Sequence, residues 1–127
     1  MVEIDESTFP LIEVQFTDEF GPEEWTAFTA MQERYFAEGK KIGVVVIADK
    51  LGLPELSLLK EVSAWVKANE DNMRSYVIGT SLHIPSAVVR GALKFVNSLA
   101  PPPSPQHVAK DLSEARRWVR DRLRRAL

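Results

Sequence analysis

The sequence predicts an α/β protein with the element order ββαβαβαβα, a mixed and mostly parallel sheet of four or five strands, and about four helices. Three observations lead to this fold class. Two short segments with mostly alternating apolar residues near the start predict an antiparallel strand pair. The run Ile42–Ala48 is uniformly apolar and rich in β-branched residues, as is typical of a strand buried on both faces. Helical and strand patterns then alternate, which favours parallel strands joined by right-handed crossovers.

The first strands are predicted at Val2–Asp5 and from about Leu11 to Phe16. Gly21-Pro22 then opens a helix, because proline is preorganised for the first helical position, and Gly39 suits the left-handed cap that ends it. Apolar and aromatic residues follow at helical spacing and predict the buried side of this helix. These residues, which include one glutamine, are Trp25, Phe28, Met31, Gln32, Tyr35 and Phe36.

Proline also predicts the start of the next two helices. Pro54 opens a helix that Asp71-Asn72 ends, and the following strand is expected at Arg74–Thr80. Pro85 opens a third helix, after which a proline-rich connector leads to a short edge strand at Gln106–Ala109. The apolar side of the third helix is expected to comprise Val88, Val89, Ala92, Phe95, Val96 and Leu99.

The final helix begins at a capping-box-like sequence, in which Asp111 accepts a hydrogen bond from the backbone of Glu114. Its buried stripe is expected to contain Leu112, Ala115, Leu123 and either Trp118 or Val119.

Length and composition describe one ordinary domain that covers residues 1–127. The absence of cysteine excludes disulfides, thiolate catalysis and zinc ribbons. The longest apolar run is far shorter than the ~20 residues that span a bilayer, and the start of the chain lacks a basic-then-apolar export pattern. A cytoplasmic protein without membrane insertion is therefore expected.

The motifs that catalysis or cofactor binding requires are missing. No glycine-rich dinucleotide loop, phosphate loop or Gly-x-Ser-x-Gly elbow follows a predicted strand. The only histidines, His83 and His107, lack metal-ligand spacing and are interpreted as surface residues. We therefore expect no enzymatic activity, no cofactor and no metal site.

Charge is distributed unevenly along the chain. The first 33 residues contain nine acidic residues and no basic one, whereas the final helix carries six arginines. Nucleic-acid binding is not expected, because the net charge is −2 and only Trp118 lies among the arginines. The arginine helix is interpreted as a solvated surface with cations near its negative end, and a partner or self-association surface is the alternative.

Topology offers one further indication of a site, because ligands of open α/β sheets tend to bind at the carboxyl ends of strands. Those ends are predicted at Asp49–Leu53 and Gly79–His83, which are expected to be neighbouring loops.

Several scattered positions form a recognisable pattern along the chain: Leu11–Phe16, Glu23-Glu24-Trp25, Ile42–Ala48 followed by Asp49, and the closing Asp111, Glu114, Ala115 and Trp118. Together with the order of elements, this pattern resembles STAS-type domains, and most closely the small stand-alone bacterial SpoIIAA-like group, which is related to anti-sigma-factor antagonists. The resemblance covers nearly the whole chain and implies a mixed sheet with helices mostly on one face and no catalysis.

The resemblance also implies a regulatory interaction. Anti-sigma-factor antagonists present the loop after the central strand and the start of the next helix to a partner kinase, which phosphorylates a serine in an Asp-Ser-Ser/Thr-Gly-type motif. The resemblance therefore implies an anti-sigma factor or a kinase as the partner. Asp49 matches that aspartate, but no serine follows it directly, and Ser57 is the nearest hydroxyl. The expected partner-binding residues are Asp49, Leu51, Leu53, Glu55 and Ser57, with Ser57 as the candidate phosphorylation site.

Two alternatives remain open. In a related group with the same architecture, the sheet and a mobile helix enclose an apolar ligand, which suggests a carrier of a lipid or another small apolar molecule. Leu51, Leu53 and Leu56, with Trp25 or Phe28, are candidates to line such a pocket, and core packing is the other explanation for them. The acidic and basic ends of the chain also suggest a homodimer.

Overall fold

A computed structural model describes all residues, 1–127. It contains five strands and five helices in the order ββαβααβαβα. The strands are β1 (Val2–Asp5), β2 (Leu11–Thr17), β3 (Ile42–Asp49), β4 (Val77–His83) and β5 (Gln106–Ala109). The helices are α1 (Pro22–Glu38), α2 (Leu56–Ala68), α3 (Glu70–Tyr76), α4 (Ala87–Leu99) and α5 (Leu112–Ala126).

All five strands form one sheet in the order β1-β2-β3-β4-β5. β1 pairs antiparallel with β2, and the remaining neighbours are parallel. The predicted fold class, the initial antiparallel pair and the central position of the apolar strand β3 are therefore confirmed. Because β3 has a strand on either side and helices on both faces, an uninterrupted apolar run is the sequence this position requires.

Side chains of β3 alternate between two cores. Val44 and Val46 face the larger core, which α1 to α4 cover, whereas Val45 faces a smaller core beneath α5. The smaller core comprises Leu11, Val45, Ala109, Ala115, Val119 and Leu123. The buried stripe of the final helix is thus confirmed, with Val119 as its central residue. Trp118 lies beside the stripe, half-buried, and packs against the same core.

Two glycines allow α5 to lie close to the sheet. Gly43 of β3 and Gly79 of β4 are register partners. A Cβ atom on Gly43 would lie 2.4 Å from Cγ1 of Val119, and one on Gly79 would lie 2.8 Å from the ring of Trp118. Real carbon atoms do not approach so closely, so any larger residue would push α5 away from the sheet.

The predicted ends of α1 and the start of α5 agree with the structure. Gly39 adopts the left-handed conformation at φ 66° and caps α1. At the start of α5, the Asp111 side chain accepts a hydrogen bond from the backbone N–H of Glu114 at 2.8 Å. Both features depend on residues that are adjacent in sequence, which is why local patterns predict them.

The segment between β3 and β4 was predicted incorrectly. Asp71-Asn72 does not end a helix but lies within α3, and the predicted strand residues Arg74 to Tyr76 are helical. Arg74 contacts the Glu70 and Asp71 carboxylates at 3.2 Å each, which is the helical spacing of three and four residues. Met73 and Tyr76 of α3 pack against the larger core. Contacts with the larger core therefore stabilise α3, the helix that the sequence did not predict.

Two of the three prolines lie before their helices rather than in them. Pro22 is the first residue of α1, but Pro54 and Pro85 lie two residues before the first residues of α2 and α4. The intervening N-cap residues, Glu55 and Ser86, are extended. Ser86 accepts a hydrogen bond from the backbone N–H of Val89 at 3.3 Å, so the serine rather than the proline determines where α4 begins.

The apolar side of α4 is wider than its buried side. Val89, Ala92 and Val96 are buried, whereas Val88, Phe95 and Leu99 are 62%, 37% and 38% exposed. Three of the six residues expected on the apolar side of this helix are therefore exposed to solvent. Each helix of the structure is too short or too polar to cross a membrane.

Replacing Gly43 with alanine should destabilise the protein by about 1–3 kcal/mol, because the new methyl group would overlap Val119. Gly91→Ala is the matched control, since Gly91 lies in α4 and a methyl group there would have no neighbouring atom within 4 Å. That control should stabilise the protein by about 0.5–1 kcal/mol through helix propensity. Urea denaturation of both variants measures the difference, and an unchanged midpoint for Gly43→Ala would contradict the close packing of α5.

Candidate functional site

The candidate docking surface lies where β3 leaves the sheet. It consists of residues 49–57, hereafter the 49–57 segment, which includes the end of β3, the connection to α2 and the first two residues of α2. β3 is the central strand, so this segment leaves the middle of the sheet at its carboxyl edge. Open α/β sheets most often bind their ligands at this edge.

The backbone of the 49–57 segment is attached to the neighbouring loop. The N–H of Gly52 donates a hydrogen bond to the carbonyl oxygen of Asp18 at 3.3 Å. Lys50 and Asp18 both adopt positive φ angles, 52° and 68°, directly after their strands. Non-glycine residues adopt this conformation at a cost in free energy, so contacts such as this hydrogen bond must hold the two loops in place.

The leucines of the 49–57 segment point in two directions. Leu51 packs against the larger core, whereas Leu53 and Leu56 are 63% and 56% exposed. Leu58, one residue beyond the segment, is buried. The inward residues anchor the segment, and the outward leucines leave apolar surface in contact with water.

The remaining predicted site residues lie on the same segment as these leucines. Asp49 is the exposed last residue of β3, Glu55 is the exposed N-cap of α2, and Ser57 is the exposed second residue of α2. The structure thus places Asp49, Leu53, Glu55 and Ser57 on one exposed segment, with Leu51 beneath it. A charged rim around exposed apolar side chains is the common composition of a protein-binding surface.

A third exposed apolar residue lies at the same edge of the sheet. Val88 is in the first turn of α4, which starts just after β4, the parallel neighbour of β3. Arg90 holds this turn in place through Nη1, which donates to the carbonyl oxygens of Ile84 and Pro85 at 2.8 Å each. The sequence placed Val88 on the apolar side of this helix and did not indicate a site residue, because its helical spacing is that of a buried residue.

The second predicted loop, Gly79–His83, is not a loop. These residues form most of β4, and Ser81 is fully buried. The carboxyl edge of β4 is instead formed by Ile84, Pro85 and Ser86. This correction follows from the displaced start of β4, because the strand begins three residues later than predicted.

A cavity of about 190 Å³ lies between the sheet and the helices of the larger core. Of its 27 lining residues, 19 are hydrophobic. Four aromatic side chains on one side contact each other: Trp25 meets Trp65 edge-on at 5.6 Å between ring centres, and Phe16 meets Phe28 at 5.6 Å. Such a cavity favours an apolar guest.

The sequence interpretation of an apolar pocket was correct for some residues only. Leu51, Trp25 and Phe28 line the cavity, whereas Leu53 and Leu56 do not. Residues of α2 and α4 that line it, among them Val62, Ala92 and Val96, were missed as pocket residues. Their spacing predicts a buried helical face, but only the tertiary structure decides whether that face meets other side chains or a cavity.

The two histidines lie on adjacent strands and form no metal site. His107 stacks on Trp118 at 5.3 Å between ring centres, and its Nε2 lies 3.4 Å from the Glu114 carboxylate. The hydrogen bond from the backbone N–H of Lys110 lowers the pKa of Glu114 below its usual value, and the His107 side chain contributes in the same direction. No group of three or more metal-ligating side chains occurs anywhere in the chain.

The acidic and basic ends of the sequence meet within the molecule. Arg116 of α5 donates two hydrogen bonds to the Glu13 carboxylate of β2, from Nε at 2.7 Å and from Nη2 at 2.9 Å. These hydrogen bonds raise the pKa of Arg116. Part of the charge asymmetry along the chain therefore serves to attach α5 to the sheet. The homodimer that this asymmetry also suggested stays a prediction.

No protein-family model matches the chain, and no curated protein matches it in sequence. Two solved structures have similar folds over nearly their whole lengths. One is an uncharacterised DUF3478-family protein with a SpoIIAA-like fold from Shewanella loihica PV-4, which is 13% identical with a TM-score of 0.64, over 94% of this chain and 92% of that one. The other is an anti-sigma factor antagonist from Mycobacterium paratuberculosis, which is 14% identical with a TM-score of 0.55, over 95% of this chain and 94% of that one.

At sequence identities of 13% and 14%, the similarity to these two structures establishes a shared fold but not a shared activity. Together with the five-stranded mixed sheet and the helices on its two faces, they show that the chain has a SpoIIAA-like fold.

Proposed function

We propose that this protein is a non-enzymatic, cytoplasmic interaction domain that binds a regulatory partner protein through the 49–57 segment and α2. The observation that carries the proposal is the exposure of Leu53 and Leu56 on a segment whose other leucine is anchored in the core. Exposed leucines on a well-anchored backbone lose little conformational entropy on binding, so their burial against a partner contributes to affinity.

The likeness to an anti-sigma factor antagonist supports a partner of the anti-sigma factor or kinase type. Asp49, Lys50 and Glu55 carry charges on the same exposed segment as the two leucines and favour a partner with complementary polar groups. Binding through this surface requires no catalytic group, in keeping with the function we propose.

Leu53→Asp should reduce recovery of the partner at least tenfold, because it places a charge where an apolar side chain becomes buried. Fully burying a leucine contributes about 1.5–3 kcal/mol, which corresponds to roughly tenfold or more in affinity. Affinity capture from the native cells, followed by mass spectrometry, identifies proteins that depend on Leu53. Glu55→Arg tests the charged rim in the same way.

Leu127→Asp is the matched control, because Leu127 is 70% exposed at the end of the chain and lies outside the proposed surface. The control should recover the same partner as the wild type. Equal recovery by Leu53→Asp and the wild type would remove the 49–57 segment from the proposed function.

Ser57 is proposed as a phosphorylation site that regulates this docking. Its hydroxyl is exposed at the second position of α2, where the partial positive charge of the helix start favours a phosphate. A phosphoryl group would add about −2 charges beside Leu56 and Glu55 and so change the docking surface.

Ser57→Glu should therefore reduce partner recovery several-fold, whereas Ser57→Ala should not change it. Ser113→Glu controls for the added charge, since Ser113 is also the exposed second residue of a helix, in this case α5. Binding of the captured partner to each variant, measured by calorimetry, distinguishes the cases. Equal affinity for Ser57→Glu and Ser113→Glu would contradict regulation through Ser57.

We propose, as a second function, that the protein carries a small apolar molecule. The cavity of about 190 Å³ with its mostly hydrophobic lining favours it. A cavity of about 150 Å³ is known to take up benzene, so a guest of similar size fits here without rearrangement. Leu51 links the two functions, because it belongs to the 49–57 segment and also lines the cavity.

Ala92→Leu should abolish carriage, because Ala92 is buried and its larger replacement would fill the cavity. Native mass spectrometry of the purified protein measures the fraction with a bound molecule, and thermal unfolding confirms that the variant is folded. Ala64→Leu is the control, since Ala64 is exposed on α2. A consistently ligand-free mass for the wild type would contradict the carrier function.

A further inference from the structure

We infer that the cavity selects a small ring-shaped molecule with one hydrogen-bonding group, and that the side-chain amide of Gln32 receives this group. The inference rests on the second proposed function, the carriage of an apolar molecule, and specifies which chemical class is carried. An aromatic ring with a hydroxyl or carbonyl substituent is the simplest member of this class.

Gln32 is an unusual residue for its position. It lies on the buried side of α1, and only 3% of its surface is exposed. The side chain lines the cavity, and no group of the chain hydrogen-bonds to its amide. The amide atoms are not among the fully buried unpaired atoms, which are Ser81 Oγ and His83 Nδ1, so the amide keeps access to the cavity. Because amides in protein interiors are nearly always hydrogen-bonded, this one is available to a polar group of a guest molecule.

The surroundings of Gln32 determine what that partner must be. Trp25 and Phe28 precede it by seven and four residues on the same face of α1, and both line the cavity. Trp25 packs edge-on against Trp65 of α2, and Phe28 packs edge-on against Phe16 of β2, so aromatic walls and the amide belong to the same cavity lining. A ring can pack against these walls while its substituent reaches Gln32.

Other polar groups of the cavity are paired or less deeply buried. Nδ2 of Asn97 donates to Oε1 of Gln106 at 2.8 Å, so these two side chains satisfy each other. Ser104 is 9% exposed and Thr80 is half-buried, so Gln32 is the most enclosed of the polar side chains in the lining. The strongest hydrogen-bonding requirement of the cavity is therefore at Gln32.

The size of the cavity sets the size of the guest. A cavity of roughly 150 Å³ holds one benzene ring. The cavity of this protein, at about 190 Å³, is larger, and the additional volume is enough for a short substituent on the ring. A molecule of the size of p-cresol fits this description.

The test compares p-cresol with toluene, which has the same ring and methyl group but no hydroxyl. Trp25 and Trp65 line the cavity, so their fluorescence reports binding of either probe. The quantity measured is the ratio of the two affinities in wild type and in Gln32→Leu. Gln15→Leu is the matched control, because Gln15 is a half-buried glutamine of β2 outside the cavity.

The preference for p-cresol over toluene should fall by roughly threefold to tenfold in Gln32→Leu, the range of one neutral hydrogen bond. Toluene should bind Gln32→Leu at least as tightly as the wild type, which also shows that the variant is folded. The ratio for Gln15→Leu should match the wild type. An unchanged ratio in Gln32→Leu, with toluene bound, would overturn the role of Gln32 and leave the carrier function standing. Failure of both probes to bind the wild type would overturn the inference and count against the carrier function.

Discussion

Burial of β3 on both faces is the constraint on which the rest of the structure depends. A strand with neighbours on either side and helices above and below has no solvent-facing side until it leaves the sheet, so the run Ile42–Ala48 is apolar and only the final residue, Asp49, is charged. Val44 and Val45, adjacent in sequence, belong to different cores. The strand thereby joins the two layers of helices into one folding unit, and its carboxyl end places the 49–57 segment at the middle of the sheet edge.

The two faces of the sheet are packed in different ways, and the difference explains where a ligand can bind. Beneath α5, Gly43 and Gly79 remove side chains so that the helix lies close to the strands. On the other face, aromatic rings from α1 and α2 meet edge-on. The cavity lies on this second face, and these rings form part of its lining.

Sequence patterns predicted the elements whose signals are local. The apolar run of β3, the left-handed Gly39 and the Asp111 cap each depend on residues close together in the chain, and all three are confirmed. The start of β4 depends on α3, whose Met73 and Tyr76 are stabilised by the larger core, so a local reading placed the strand three residues too early. The position of the 49–57 segment at the carboxyl edge follows directly from the end of β3, and its role in docking stays a prediction.

The sequence by itself determined the fold class, the central strand and the region of the candidate site, since each follows from periodicity or from composition over a few residues. Only the tertiary structure decided which leucines are exposed, that Gln32 lines a cavity, and that Arg116 pairs with Glu13 across 103 positions of the chain. Helical spacing specifies which residues share a face, but it does not specify what that face meets. Contacts between α1, α2, α4 and the sheet supply that information, and these contacts bring together residues that are distant in sequence.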